Sequence, residues 1–208
     1  MSAELQLIGR RSSHYTRVVR IFAHELGLAP GFQPIYELMS LDASLFGDNP
    51  ALKLPILRVD GRPLYGTLNI CRQLAREANA IEAIYWPEQA NSLLQMNAHE
   101  LVAHGMAAQV EVVAHEIVEK RPADQVSIKR RQSLLGSLSW WNQHLPEIEA
   151  GIPDCRLSFL QVSLYCLLSH LPFRNPIETG ELHHLNAFAA RFGERESAQA
   201  TPYQFDQA

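Results

Sequence analysis

Two histidines on one helix share a zinc ion when they stand four residues apart, because that spacing turns both imidazoles to one face. The chain places His99-Glu100 ahead of His104, a separation of five. Five residues rotate a helix through about 500°, so the two rings face apart and zinc chemistry is set aside. His99, Glu100 and His104 then read as a polar helix face, and His183-His184 as a solvated pair. Cys71, Cys155 and Cys166 show neither a CxxC pair nor regular spacing. A sparse, odd count predicts buried free thiols in a reducing compartment, with no disulfide framework and no metal site. Arg10, Arg11, Arg17 and Arg20 cluster near the N-terminus. They read as a solvated helix face rather than an anion site.

A different chemistry is raised by "LKLPILRVDG", residues 52–61, a buried strand pattern with Pro55 at its start. Proline has no backbone N–H, so it is confined to strand starts, sheet edges and bulges. From these ten residues two readings stand. One is a trans-proline opening an edge strand. The other is a cis-proline turn that leaves a neighbouring backbone free to grip another chain.

The elements that must position these residues follow from periodicity. "LQLIG" (5–9) reads as a strand and "SHYTRVVRIFAHELGL" as a helix with Val18, Val19, Phe22, Ala23 and Leu26 on one face. Ser12 or Ser13 can cap that helix, and Gly27 stands where a C-terminal glycine belongs. "FQPIYEL" (32–38) reads as a second strand, parallel to the first through a right-handed βαβ unit and held to the sheet edge by Pro34. "LPILRV" and "RPLYG" flank Asp60-Gly61, the signal for a hairpin with a tight primed turn. Residues 67–78 read as a helix with Leu68, Cys71, Leu74 and Ala75 inward.

Residues 81–89 read as a linker, after which strand signals vanish. Helices are expected over 90–119, over 124–145 ending before Pro146, over 158–171 and over 182–192. The third is apolar nearly all round, as a central bundle helix must be, and Ser158-x-x-Gln161 matches a capping box at its start. Trp140-Trp141 read as core and edge packing. The expected architecture is a βαβ-ββα unit with a mixed sheet over 1–80, then an all-α unit over 90–208.

The chain has 208 residues, 47% hydrophobic and 19% charged, with a formal net charge of −4. That balance argues against nucleic acid or an anionic membrane as the main partner. "MSAELQLIGRRSS" lacks the apolar core of a signal peptide. "LSFLQVSLYCLLSHL" is too short and too polar to span a bilayer. A cytoplasmic location is expected.

On these residues the sequence resembles the glutathione S-transferase family. "NPALKLPILRVDGRPLYGTLNICRQLA" is similar to the family's run of Asn-Pro, Lys-Val-Pro, Asp-Gly and Glu-Ser before a helix ending Tyr-Leu-Ala. "SHYTRVVRIFAHELGL" resembles the family's first helix, written Ser-Pro-x-x-Arg-x-Val-Arg, and "HLNAFAARFGERESAQATPY" its last helix and tail. The resemblance covers essentially the whole chain and is closest to serine-type, bacterial-like members. It implies a thioredoxin-like N-terminal domain, an all-α C-terminal bundle, a homodimer, and glutathione as co-substrate against a small electrophile.

The resemblance also assigns residues. Pro55 becomes the cis-proline, and Leu54 pairs its backbone with the cysteinyl part of glutathione. Ser13 takes the reactive position, where its hydroxyl and the helix dipole hold the sulfur as thiolate. Gly9 stands where tyrosine-type members carry a phenol, so a tyrosine mechanism is not expected. Thr67 meets the γ-glutamyl carboxylate and Lys53 the glycyl carboxylate. Gly66 stands where the family has an acid or glutamine, and His14 where it often has proline. Tyr15, His99, Glu100 and His104 fall where the family bounds its second-substrate pocket. The implied activity is glutathione transfer to an electrophile. The alternatives are a glutathione-dependent cis-trans isomerase, or a non-catalytic binding protein that kept the fold and lost the ligand.

Overall fold

The computed structural model describes residues 3–174, 177 and 179–207. The chain forms two units, Met1–Ile84 together with Arg195–Ala208, and Tyr85–Glu194. Sequence reading assigns residues 195–208 to the helical half, whereas they belong to the first unit.

In the first unit, β1 (Leu5–Gly9) is the sheet's anchor, with Leu7 and Ile8 buried. It continues into α1 (His14–Glu25), which buries the expected Val18, Val19, Phe22 and Ala23 and, in addition, Ile21. Gly27, at φ +70°, turns the chain out of α1. β2 (Gly31–Pro34) then lies parallel to β1 at the sheet edge, and β3 (Ile56–Val59) and β4 (Arg62–Tyr65) follow antiparallel. The order is β2-β1-β3-β4. The βαβ-ββα order and the mixed sheet are as the sequence predicts. Asp60 and Gly61 both have positive φ, 48° and 77°, as a primed hairpin turn requires. α2 (Thr67–Glu77) closes the unit and packs on α1, burying Ile70, Cys71, Leu74 and Ala75.

Two expectations here need correction. The second strand stops at Pro34 instead of reaching residue 38. Its partner β1 ends at Gly9, which pairs with Pro34, so no ladder remains for the residues beyond. Tyr36, Leu38, Met39 and Leu41 are consequently exposed. The arginine cluster is not a solvated face. Arg17 is only 4% exposed, and Arg11, Arg17 and Arg20 all bond to the C-terminal segment, Arg11 and Arg20 remaining partly exposed.

The second unit is built on α3 (Leu93–Val112), α4 (Gln125–Ala150), α5 (Phe159–Arg174) and α6 (His183–Gly193). α5 buries ten residues from all sides and packs against α3 and α6, as a central helix should. The Ser158 hydroxyl accepts the Gln161 N–H at 3.3 Å, capping it. α3 passes into a π-helical turn at Val113–Val118. α4 runs through Pro146, contrary to the expected stop. A proline removes only one helical hydrogen bond, and buried Leu145 and Ile148 on either side hold that last turn to the core. Trp141 is buried and meets Trp140 edge-on with centroids 6.0 Å apart. Cys71 and Cys166 are buried thiols outside any disulfide, while the thiol of Cys155, likewise outside one, is only partly buried. Among the described residues no helix is long and apolar enough to cross a membrane.

Candidate functional site

Strand register decides which loops meet. Ile8 pairs with Ile56, and Ile56 pairs with Tyr65, so these three lie in one row across the sheet. The chain leaves β1 one residue after Ile8, enters β3 at Ile56, and leaves β4 at Tyr65. The turn bearing Ser13, the Lys53-Leu54-Pro55 segment and the Gly66-Thr67 helix start are therefore gathered at one end of the sheet. The N-termini of α1 and α2 open at that same end. Beneath it lies an apolar cluster of Ile8, Ile35, Phe46 and Ile56, against which Leu52, Leu54 and Tyr65 pack.

Ser13 is the N-cap of α1. Its Oγ accepts the Thr16 N–H at 3.3 Å and its own N–H donates to the Arg10 carbonyl at 3.1 Å, closing a tight turn over residues 10–13. Capping occupies one lone pair of the hydroxyl and leaves its O–H able to donate to something else. Thr16, fully buried, accepts the Arg10 N–H on its Oγ1 at 3.4 Å. A Cβ at Gly9 would lie 2.7 Å from Thr16 Cγ2 and Oγ1, so a phenol-bearing residue does not fit there without moving α1.

The Leu54–Pro55 peptide bond is cis. Asn49, buried, frames this turn: its Nδ2 donates to the Lys53 carbonyl at 2.9 Å and its Oδ1 accepts the Ala51 N–H at 3.0 Å. Tyr65 Oη donates to the Asp48 carbonyl at 2.9 Å, tying the same loop to β4. Ladder pairing begins only at Ile56. Among the described residues, the N–H and C=O of Leu54 are bonded to no other backbone group, and they sit two residues before the sheet begins. Lys53 is exposed.

Gly66 caps α2 without a side chain, at φ +87° and ψ 127°. That backbone geometry favours glycine and is a physical reason for the departure from the family pattern at this position. Its carbonyl accepts the Ile70 N–H at 3.0 Å, the first bond of the helix. The N–H groups of Thr67 and its successors precede any intrahelical acceptor, so they point outward as donors at this end of the sheet.

The helical unit sorts the remaining candidates onto different faces. His104 and Glu100 pair at 3.1 Å, both well exposed, as a solvated i,i+4 pair. His99 turns the other way, its ring 5.9 Å from that of Tyr85, with Nε2 buried and unpaired. Burial lowers its pKa to about 4, a fall only partly opposed by the charge of Glu88. His183 and His184 are exposed. Among the described residues no group of three metal-ligating side chains assembles. Sequence reasoning missed Thr16 and the contacts of Arg11 with Asp206, described below. Thr16 is legible only as a small polar residue inside an otherwise apolar helix face.

Residues 7–82 match the family model described as glutathione S-transferase, N-terminal domain. No curated protein sequence matches the chain. A glutathione S-transferase from Methylobacillus flagellatus, solved with glutathione bound, is 20% identical with a TM-score of 0.79, covering 96% of this chain and 100% of its own. A glutathione transferase family member from Pseudomonas fluorescens, also with bound glutathione, is 24% identical with a TM-score of 0.72, covering 96% and 99%. The Tau class glutathione S-transferase from mango is 16% identical with a TM-score of 0.73, covering 97% and 93%.

Proposed function

We propose that the chain is a member of the glutathione S-transferase family, as the match of residues 7–82 to that family's N-terminal domain supports, and that it binds glutathione at the Ser13 end of the sheet and adds its thiolate to a small electrophile. The observation that carries the reading is the Leu54 backbone, which among the described residues bonds to no other backbone group, at the end of the sheet where the capped start of α1 opens. An unpaired N–H and C=O at a strand entrance suit a short antiparallel bridge to an extended peptide. Two of the similar structures hold glutathione, which is such a peptide.

In this reading Leu54 pairs with the cysteinyl backbone, Thr67 receives the γ-glutamyl carboxylate on its hydroxyl and N–H, and Lys53 meets the glycyl carboxylate. The thiol releases its proton to solvent, and the O–H of Ser13 with the N-terminal dipole of α1 stabilises the sulfur anion. The thiolate then forms a carbon–sulfur bond to the electrophile; the displaced electron pair departs with the leaving group or, on addition to a conjugated double bond, moves to the neighbouring carbon, which takes a proton from solvent. Binding contributes by holding the two reactants together. A cytoplasmic homodimer completes the proposal, and exposed Leu93, Met96 and Val110 on α3 with Val126 and Ile128 on α4 give it an apolar surface to bury.

Gly66 favours a second reading, a non-catalytic binding protein. Without an acid there, the ammonium of the ligand loses a charged hydrogen bond of roughly 1.5–3 kcal/mol, one to two decades of affinity. Calorimetric titration with glutathione separates the two. Saturable binding, with conjugate formed when a reactive aryl halide is added, supports the transferase. Absence of binding at millimolar glutathione refutes it.

A further inference from the structure

The turn that presents Ser13 is held from outside by the far end of the chain. Asp206 Oδ2 accepts the backbone N–H of Arg11 at 2.8 Å, and its Oδ1 accepts from Arg11 Nη1 at 2.7 Å. The Asp206 side chain is 1% exposed and that of Arg11 32%, so the carboxylate is the sheltered end of the pair. The Arg11 guanidinium lies 4.3 Å over the ring of Phe32 in β2, which leaves it little freedom to leave the carboxylate. Arg11 is the second residue of the turn closed by Ser13 N–H on the Arg10 carbonyl. Asp206 thus grips both the backbone and the side chain of a residue two positions before the Ser13 hydroxyl.

The rest of the C-terminal segment is fastened along α1. α7 (Glu196–Ala200) begins beside Glu25, whose Oε1 accepts from Arg195 Nε at 2.8 Å and from Ser197 Oγ at 2.6 Å. Burial pushes the Glu25 carboxyl up, but those two hydrogen bonds and the charges of Arg195 and His24 together outweigh it and leave its pKa below the usual value. Arg17 donates to the Ala198 carbonyl at 3.1 Å and lies 4.3 Å over the ring of Tyr203. Arg20 donates to the Pro202 carbonyl at 3.2 Å. The segment therefore runs the length of α1, from its C-terminal end at Glu25 to the turn ahead of its N-terminus. Its last contact is with the turn that carries the candidate reactive residue.

We infer that Asp206 is a positioning residue: through Arg11 it fixes the turn over residues 10–13 and so aims the Ser13 hydroxyl at the sulfur of bound glutathione. The inference rests on the proposed role of Ser13. A thiolate is stabilised by a donor only when the O–H is aligned with it, and a turn free to shift misaligns it. The carboxylate also neutralises Arg11, so that the guanidinium is not drawn toward the thiolate in place of Ser13.

Asp206→Ala, Asp206→Asn and Asp206→Glu are compared with the parent, with Arg20→Ala as the control that loosens the segment without touching the turn. Amide hydrogen exchange of Arg11 through Ser13 is measured without ligand, and thiol pKa, kcat and KM are measured with glutathione. Asp206→Ala is expected to speed exchange at Arg11, raise the bound thiol's pKa by about one unit and lower kcat about tenfold. KM for glutathione stays within about twofold, because the turn acts on the thiolate more than on binding. Asp206→Glu recovers part of the loss, Asp206→Asn less, and Arg20→Ala leaves the thiol pKa unchanged. Unaltered exchange at Arg11 in Asp206→Ala, or faster exchange with unaltered thiol pKa, overturns the inference, as does an equal effect from Arg20→Ala. Should the parent itself bind no glutathione, the transferase reading falls and the role in aiming Ser13 falls with it, while the exchange measurement still decides whether Asp206 holds the turn.

Discussion

Replacing Gly66 by alanine isolates a backbone effect at the start of α2. The residue sits at φ +87° and ψ 127°, a combination L-residues rarely adopt, and such positions cost a side-chain-bearing residue about 1–3 kcal/mol. Sterics add little, since a Cβ there would meet only Asn69 Nδ2, at an ordinary 3.5 Å. Alanine recovers about 0.4–1 kcal/mol by restricting the unfolded chain. The expected net destabilisation is about 1–2 kcal/mol, and at this chain length each kcal/mol lowers Tm by about 2–4 °C. Gly136, inside α4 with nothing within 4 Å of its would-be Cβ, provides the opposite case. There alanine removes helix-interior glycine entropy and should stabilise by about 0.5–1 kcal/mol. The assay is urea unfolding of both variants beside the parent. A Gly66→Ala protein as stable as the parent, alongside a stabilised Gly136→Ala, would show that positive φ is not what glycine supplies at 66. Gly66→Glu carries the same backbone cost, which falls on stability and not on the affinity of the folded protein. If the ligand's ammonium lies near this position, calorimetry on folded Gly66→Glu should show glutathione bound about 1–2 kcal/mol more tightly. Unchanged affinity removes the ammonium from this position.

Ser13→Ala is expected to raise the pKa of the bound thiol and slow turnover at least tenfold while glutathione affinity moves little; a variant as fast as the parent, with Ser12→Ala inactive, transfers the role to Ser12. His99, held neutral with a pKa lowered to about 4 against an ordinary 6.5, binds a proton less readily folded than unfolded. Stability should therefore be unaffected by His99 above pH 6.5 and fall as pH drops from 6.5 toward 4, and His99→Leu should flatten that part of the urea midpoint-against-pH curve. Sedimentation equilibrium is expected to give twice the 23.4 kDa chain mass, with Val126→Glu/Ile128→Glu shifting it to monomer; a lone 23.4 kDa species in the parent refutes the dimer.

What the sequence alone determined was local. Asp60-Gly61 names its turn because few residue pairs accept positive φ twice, the 3.6-residue apolar repeats name α1 and α2, and predominantly apolar runs name β1 and α5. Pro55 was legible as a special position, and the family pattern around it indicated the cis bond that is observed. Strand ends were less legible: β2 stops at Pro34 because β1 offers no further partner, a fact of pairing and not of the residues 35–38 themselves. Likewise, α4 continues past Pro146 because Leu145 and Ile148 bury on either side of it, a tertiary gain that outweighs one lost hydrogen bond. Only the tertiary structure showed that the arginines at 11, 17 and 20 are ligands for the chain's own C-terminal segment. Arg11 and Asp206 stand 195 residues apart, and no periodicity, cap or turn rule relates residues at that distance. Charge clusters read from sequence default to solvent because exposure is the cheap state for a cation. Burial of Arg17, and of the Asp206 carboxylate against partly exposed Arg11, becomes favourable only where a carbonyl, an aromatic ring and an opposite charge are already in place to receive them, and the folded chain alone supplies those.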